Sequence, residues 1–217
     1  MTTEIEIETT AGRARVTLDA PRPARALLLL GHGAGGGIDA RDLRAVRDGA
    51  TTAGYAVGRL TQPYRMAGRR PPAPAPVLDA VLAEVVRALR RRHTLAKLPL
   101  VVGGRSSGAR VGCRSAATVG AVGLLALSFP LHPPGRPDRS RAPELQGVEV
   151  PVLVVQGQRD PFGSPDELRA AGLPEQVQVH VVPGADHGLA VRKGDPPPMP
   201  AIVAAVIEWL DGVIDSL

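Results

Sequence analysis

The feature that most constrains the fold is an alternation of short, mostly apolar segments with longer helix-like ones through the C-terminal two-thirds of the chain. The apolar segments predict strands at residues 26–30, 55–60, 100–103, 122–128, 152–156 and 177–182. Strands that are apolar on both faces are typical of a mostly parallel sheet covered by helices on both sides. The pattern therefore predicts an α/β fold.

The segments between these strands carry helical spacing or helix-start signals. They predict helices at residues 39–52, 77–92, 107–119, 164–171 and 200–217. Asp39 and Ser164 are expected to cap two of these helices at their N-termini. Two proline-rich stretches, 62–76 and 130–151, are predicted to be loops.

The N-terminus has a different pattern. Glutamate and isoleucine alternate over residues 4–8, and residues 13–18 form a second candidate strand beyond the turn at Ala11-Gly12. This spacing predicts an antiparallel hairpin at one edge of the sheet. No repeat or change of composition marks a boundary. We therefore predict a single domain over residues 1–217, with an eight-stranded, mostly parallel sheet and helices on both faces.

Composition excludes several classes of protein. The one cysteine, Cys113, cannot form a disulfide within the chain. The acidic first residues lack the basic n-region of a secretory signal, and the longest nearly apolar stretch, 119–131, is too short to span a membrane. We therefore expect a cytoplasmic protein with no membrane partner.

The positive charge does not indicate nucleic-acid binding. The net charge is +5, and the 26 cations comprise two lysines, Lys97 and Lys193, with arginine at all other positions. The arginines are scattered along the chain, and only 2% of residues are aromatic, so few rings could stack on bases. We interpret the arginines as a solvated surface and expect no nucleic-acid partner.

A glycine-flanked serine follows directly after the predicted strand 100–103, in the segment Gly104-Arg-Ser-Ser-Gly108. A nucleophilic serine at a strand–turn–helix junction has a strained backbone, and small residues two positions away relieve the crowding. Ser106 is the candidate nucleophile, since centring on Ser107 would place Arg105 at a crowded position. Ser107 would then offer its backbone N–H to an oxyanion. An ordinary glycine-rich turn is the alternative.

Two later strand ends carry a candidate acid and base. Asp160 follows the strand 152–156, and His187 follows the strand 177–182. The order Ser, Asp, His is one that serine hydrolases use, with the histidine as base and the carboxylate orienting it. Asp138 is the alternative acid, because it lies after the strand 122–128.

A glycine-rich segment follows the strand 26–30. It reads His32-Gly-Ala-Gly-Gly-Gly37, which matches a loop that supplies an oxyanion donor, and its glycines permit close approach of a substrate. The alternative is a dinucleotide-binding loop, because residues 31–36 match G-x-G-x-x-G literally. That site also needs an acid at the end of the next strand, where the chain has Leu60-Thr61. We therefore favour the oxyanion loop. The chemistry expected of these residues implies no organic cofactor and no metal.

Together these segments resemble the α/β-hydrolase superfamily over essentially the whole chain. More narrowly, the chain resembles small, capless dienelactone-hydrolase-like proteins of the testis-expressed and non-specific-lethal complex subunit 3 type. The segments that carry the resemblance are residues 32–37, 103–110, 129–137 and 156–163. The resemblance implies the α/β-hydrolase fold, Ser106, Asp160 and His187 as a catalytic triad, and Ala34 and Ser107 as oxyanion donors.

Only about 22 residues separate the strands 122–128 and 152–156, too few for a substantial helical cap. The site is therefore expected to be open, with His132 and Tyr64 near its mouth and Arg105 beside the nucleophile. These three residues are candidates for contact with substrate. The alternative for His132 and Tyr64 is that they are surface loop residues without such a role, and the alternative for Arg105 is a structural salt bridge.

The function expected from these residues is hydrolysis of a small carboxylic ester or lactone through an acyl-enzyme. The partner is a small-molecule acyl substrate, and the chain is expected to be a monomer or weak homodimer. The alternatives are a non-catalytic interaction protein with this fold, or a peptidase or acyltransferase.

Overall fold

Eight strands form one sheet in the computed structural model, which describes residues 2–217. The strands are β1 (Thr2–Thr9), β2 (Gly12–Asp19), β3 (Leu27–Gly31), β4 (Ala56–Thr61), β5 (Leu100–Arg105), β6 (Gly123–Leu127), β7 (Val152–Gly157) and β8 (Val177–Val182). Their order across the sheet is β1-β2-β4-β3-β5-β6-β7-β8. β1 and β2 pair antiparallel, as do β2 and β4, and the remaining pairs are parallel. The predicted sheet and its N-terminal hairpin are confirmed.

Helices cover both faces of the sheet. They are α1 (Arg41–Thr52), α2 (Pro63–Met66), α3 (Ala75–Arg90), α4 (Ser107–Ser115), α5 (Ala142–Gln146), α6 (Pro165–Ala170) and α7 (Met199–Asp215). Buried residues of α3, α4, α5 and α6 belong to one apolar core, and those of α1 and α7 belong to the other. Alternate leucines of β3 divide between these cores, as the two-residue period of a strand requires.

The helices α1, α2 and α5 differ from the predicted elements, and α4 ends at Ser115, four residues before its predicted end. α1 begins at Arg41 after Ala40, with no side-chain cap, because the carboxylate of Asp39 accepts a hydrogen bond from Arg59 instead (3.1 Å). The predicted loops contain the short helices α2 and α5, each with a proline in its first turn. Proline sets the helical φ there without losing an intrahelical hydrogen bond, so it favours a helix start as much as a loop.

The expected cap at Ser164 is confirmed. Its hydroxyl accepts a hydrogen bond from the backbone N–H of Glu167 (3.2 Å), and the Glu167 carboxylate accepts one from the backbone N–H of Ser164 (2.8 Å). This reciprocal pair satisfies two donors that the first turn of a helix leaves free.

The connection from β6 to β7 is short. Residues 128–151 contain one 3-10 turn, Pro137–Arg139, and the five-residue α5. The carboxyl ends of β5, β6 and β7 are therefore not covered by a separate helical unit, as expected. In the described part of the chain, no helix has the length and apolarity that a bilayer crossing requires.

Candidate active site

Ser106, Asp160 and His187 meet at the carboxyl edge of the sheet. Ser106 follows β5, Asp160 lies just after β7, and His187 lies in the loop after β8. The His187 Nε2 atom is 3.0 Å from the Ser106 Oγ atom, and its Nδ1 atom is 2.8 Å from Asp160 Oδ2. A neutral imidazole in this position accepts the serine proton at Nε2 and donates its Nδ1–H to the carboxylate.

Ser106 has the unusual backbone conformation that such a serine requires, with φ 52° and ψ −109°. Its backbone N–H donates to the carbonyl of Leu127 (2.9 Å), which ties the turn to β6. A Cβ atom at Gly104 or Gly108 would overlap the backbone of Gly31 in β3. The two glycines of the motif therefore let the turn pack against the neighbouring strand.

The carboxylate of Asp160 is fully buried, and three donors surround it. Besides His187, the Gln156 side chain donates to Oδ2 (2.9 Å) and the backbone N–H of Phe162 donates to Oδ1 (2.8 Å). The ring of Phe162 also packs on the imidazole of His187, with centroids 4.2 Å apart. Gln156 was not expected from the sequence; its signal is a polar residue ending an otherwise apolar buried strand.

The alternative acid, Asp138, is not brought to His187. It is exposed and pairs with Arg136 (3.0 Å). The other neighbouring carboxylate, Asp186, accepts hydrogen bonds from the backbone N–H groups of Gly188 (2.8 Å) and Ala190 (3.0 Å). Asp186 thus shapes the loop of His187 and does not contact its ring.

Arg105 links the histidine loop to α1. Its Nε atom is 2.9 Å from the Asp42 carboxylate, and its terminal nitrogen donates to the backbone carbonyl of His187 (3.1 Å). Burial raises the pKa of Asp42, and the charge of Arg105 opposes that rise. The salt bridge, one of the two roles considered for Arg105, is therefore present.

The glycine-rich loop after β3 is held by two side chains. His32 accepts a hydrogen bond at Nε2 from the backbone N–H of Gln62 (3.3 Å), so its Nδ1–H donates to the carbonyl of Gly33 (2.8 Å). Burial lowers the pKa of His32 and favours this neutral form. The hydroxyl of Tyr64 donates to the carbonyl of Ala34 (3.0 Å).

Two backbone amides near Ser106 belong to Ser107, the next residue, and to Ala34, which follows Gly33. An added Cβ atom at Gly33 would lie 3.7 Å from Ser106 Cβ. Within residues 2–217, neither Ala34 N–H nor Ser107 N–H donates to a protein acceptor. Ser107 is the first residue of α4, where the amides have no partner inside the helix. Each of these two N–H groups is a hydrogen-bond donor without a protein acceptor, near the candidate nucleophile.

His132 is buried, with both ring nitrogens facing acceptors. Nδ1 lies 2.9 Å from the carbonyl of Pro133, and Nε2 lies 3.1 Å from the Glu167 carboxylate. Its backbone N–H donates to the carbonyl of Phe162 (2.9 Å). His132 thus connects the β6–β7 segment to α6, and neither of its ring nitrogens is free for a substrate.

Two observations concern a metal ion and a dinucleotide. In the part of the chain that the structure describes, no group of three or more His, Cys, Asp or Glu side chains is placed to hold a metal ion. The glycine-rich loop does not run directly into a helix, since α1 begins at Arg41. A dinucleotide fingerprint requires a helix N-terminus at the loop itself.

Comparison with known proteins gives the following matches. A family model described as an alpha/beta hydrolase domain matches residues 24–212. A lidless α/β serine hydrolase from Xanthomonas campestris is similar in structure, with a TM-score of 0.72, 19% identity, and coverage of 99% of this chain and 94% of that one. No curated protein sequence matches.

Two further solved structures cover nearly the whole chain. A dienelactone hydrolase from Anabaena variabilis has a TM-score of 0.75 at 19% identity, covering 98% of this chain and 97% of that one. Est1E from Butyrivibrio proteoclasticus, with ferulic acid bound, has a TM-score of 0.78 at 17% identity, covering 97% and 99%. At these identities the similarity shows the fold alone.

Proposed function

The chain belongs to the alpha/beta hydrolase family, and from this premise we propose that it is a serine hydrolase that cleaves a small carboxylic ester or lactone. The observation that carries the proposal is the chain of hydrogen-bond distances from Ser106 through His187 to Asp160 (3.0 and 2.8 Å). A serine hydroxyl is a weak nucleophile at neutral pH and needs such a base, itself held by a third group.

In the first half of the reaction, Ser106 Oγ attacks the carbonyl carbon while His187 Nε2 takes its proton. The electron pair of the carbonyl double bond moves to oxygen, where the N–H groups of Ala34 and Ser107 donate to the developing charge. When the carbonyl forms again, the bond to the alcohol oxygen breaks and His187 gives that oxygen its proton. The acyl group is then bonded to Ser106.

Water completes the second half. His187 takes a proton from water as the water oxygen attacks the acyl carbon, and the same two amides hold the oxyanion. The bond to Ser106 Oγ then breaks, and His187 returns the proton to that oxygen. Asp160 remains ionised throughout, holding the imidazole and stabilising it while it is protonated.

The short β6–β7 connection leaves the proposed site accessible, since residues 128–151 provide only a 3-10 turn and one short helix over this end of the sheet. An open site of this kind favours a small substrate. The dienelactone hydrolase and the ferulic acid complex among similar structures are compatible with an ester or lactone. The narrower resemblance to the testis-expressed type, the cytoplasmic location and the monomeric or weakly dimeric state stay predictions.

Labelling with a fluorophosphonate tests the proposal, because an activated serine displaces fluoride and becomes phosphonylated. We expect one label per chain, located by mass spectrometry on Ser106, and hydrolysis of short-chain nitrophenyl esters in preference to long-chain ones. A Ser107→Ala variant, which keeps its backbone N–H, should still be labelled. Folded wild-type protein that takes no label would contradict the proposal and favour a non-catalytic role. Labelling without ester turnover would favour a peptidase or acyltransferase.

Tyr64→Phe tests how the oxyanion loop is held. The change keeps the ring but removes the hydroxyl that binds the Ala34 carbonyl. We expect kcat for a nitrophenyl ester to fall by up to about tenfold, as the loss of one hydrogen bond implies. Tyr55→Phe is the matched control, because its hydroxyl binds Asp211 (2.6 Å) and its ring packs in the core on the other face. The control should leave kcat unchanged; a similar fall in both variants would argue against a role for Tyr64.

A further inference from the structure

One polar side chain lies in an otherwise apolar buried strand and takes no part in the proton transfers of the proposed reaction. Gln156 follows four apolar, buried residues of β7, Val152–Val155. By the two-residue period of a strand, its side chain lies on the same face of the sheet as Val152 and Val154, which belong to one apolar core. Gln156 is itself 0% exposed. Packing alone would therefore favour an apolar side chain at this position.

The nitrogen of this carboxamide faces three oxygen atoms. Gln156 Nε2 is 2.9 Å from Asp160 Oδ2. It is also 3.2 Å from the carbonyl oxygen of Phe129 and 2.7 Å from that of Gly163. A carboxamide NH2 group has two N–H donors, whereas the carboxamide oxygen only accepts. The reverse orientation would place that oxygen against three acceptors with no hydrogen between them, so the carboxamide has one orientation.

The carboxamide oxygen of Gln156 is buried, and it makes no hydrogen bond with any residue in 2–217. Most buried polar atoms are paired, because an unpaired atom loses its hydration without compensation. The chain thus keeps a polar group that is unfavourable for stability where an apolar group would fit. The contribution of this group lies on its nitrogen side, at the carboxylate of Asp160.

The contact with Gln156 fixes which carboxylate oxygen of Asp160 faces His187. Oδ2 accepts hydrogen bonds from Gln156 and from His187 Nδ1 (2.8 Å), whereas Oδ1 accepts one from the backbone N–H of Phe162 (2.8 Å). Without Gln156, the imidazole would be the only donor to Oδ2 within residues 2–217, and the carboxylate would be freer to turn about its last bond. The two backbone carbonyls hold the carboxamide in place, because they belong to separate segments, one after β6 and one after Asp160.

We propose that Gln156 is a positioning residue of the proposed triad. Its carboxamide holds Asp160 Oδ2 in line with His187 Nδ1, and this keeps Nε2 of the same imidazole directed at Ser106. Small displacements of a catalytic group lower the rate strongly, and neighbouring hydrogen bonds prevent them. Because Gln156 is fully buried, its effect on the reaction passes through Asp160. The inference rests on the proposed function, in which His187 is the base for Ser106.

Wild-type protein provides the first test, by NMR with ¹⁵N-labelled glutamine and histidine. One N–H of Gln156 and the Nδ1–H of His187 donate to the same oxygen of Asp160, so the two protons lie close together. We expect a nuclear Overhauser effect between them, whether or not the protein hydrolyses esters. Assigned signals with no such effect would overturn the inference. If the effect is present and no ester is hydrolysed, the proposed function fails while the contact between Gln156 and Asp160 stands.

Kinetics of Gln156→Met measures the effect on the reaction. The change keeps the length of the side chain and removes both donors. We expect kcat for a nitrophenyl ester to fall about 10–100-fold with little change in KM, as the loss of a hydrogen bond to a charged group implies. Gln176→Met is the matched control, because the Gln176 side chain donates to the carbonyl of Val148 (2.7 Å) beside the start of β8, at the opposite edge of the sheet. The control should leave kcat unchanged.

A double variant separates positioning from a general loss of packing. If Gln156 acts through Asp160, adding Gln156→Met to Asp160→Asn should lower kcat by no more than about twofold beyond the loss in Asp160→Asn alone. Losses that multiply in the double variant, an equal fall of kcat in Gln156→Met and Gln176→Met, or a change confined to KM would overturn the inference. If Gln156→Met does not fold, the Overhauser effect in the wild-type protein decides it.

Discussion

Replacing Ser106 by alanine is expected to lower kcat/KM for a nitrophenyl ester by about 10⁴-fold or more. The change removes the only oxygen that His187 Nε2 contacts at hydrogen-bond distance within residues 2–217 (3.0 Å). Because the nucleophile and base act as a unit, adding His187→Ala should cause little further loss. Steady-state kinetics on both variants measures this, and losses that multiply in the double variant would contradict the shared mechanism.

Replacing Asp160 and Asp138 by asparagine, one at a time, compares the proposed orienting acid with the alternative one. Asp160→Asn is expected to lower kcat by about 10³–10⁴-fold, because an amide can favour the wrong tautomer of His187 and cannot stabilise its charged form. Asp138→Asn alters an exposed carboxylate that pairs with Arg136 and should leave kcat unchanged. An equal loss in both variants would remove the support for Asp160 as the orienting acid.

Gly104→Ala is expected to destabilise the fold by about 3 kcal/mol or more. Gly104 has φ 142°, a conformation that L side chains rarely adopt, and a Cβ atom there would overlap the carbonyl oxygen of Gly31. Backbone strain and overpacking each cost about 1–3 kcal/mol. The neighbouring strand cannot withdraw, because β3 is paired on both sides. Urea unfolding would measure the loss of stability.

The control variant, Gly212→Ala, is expected to change the stability of the protein in the opposite direction. Gly212 lies in α7 with no atoms within 4 Å of an added Cβ. Alanine there should stabilise the protein by about 0.5–1 kcal/mol, because glycine is unfavourable inside a helix. Equal unfolding midpoints for Gly104→Ala and wild type would show that the turn at Ser106 can move away from β3.

The strands and the order of the candidate residues followed from local pattern. Apolar segments such as 152–156 are too short for helices and too apolar for loops, so they predicted buried strands that the structure confirms. Ser106, Asp160 and His187 were each identified by their position after a strand, because parallel strands present their carboxyl ends at one edge. The sequence by itself thus determined the fold class and the candidate triad.

The tertiary structure alone decided which neighbours hold those residues. Gln156 reaches Asp160 across a turn, Arg105 reaches the carbonyl of His187 from 82 positions away, and Tyr64 reaches Ala34 from 30 away. No local period records such contacts, because they depend on strand order and on the direction of long side chains. Arg105 and Asp138 each had more than one interpretation from the sequence. Packing placed Arg105 against Asp42 of α1, whereas Asp138 stays exposed beside Arg136 and away from His187.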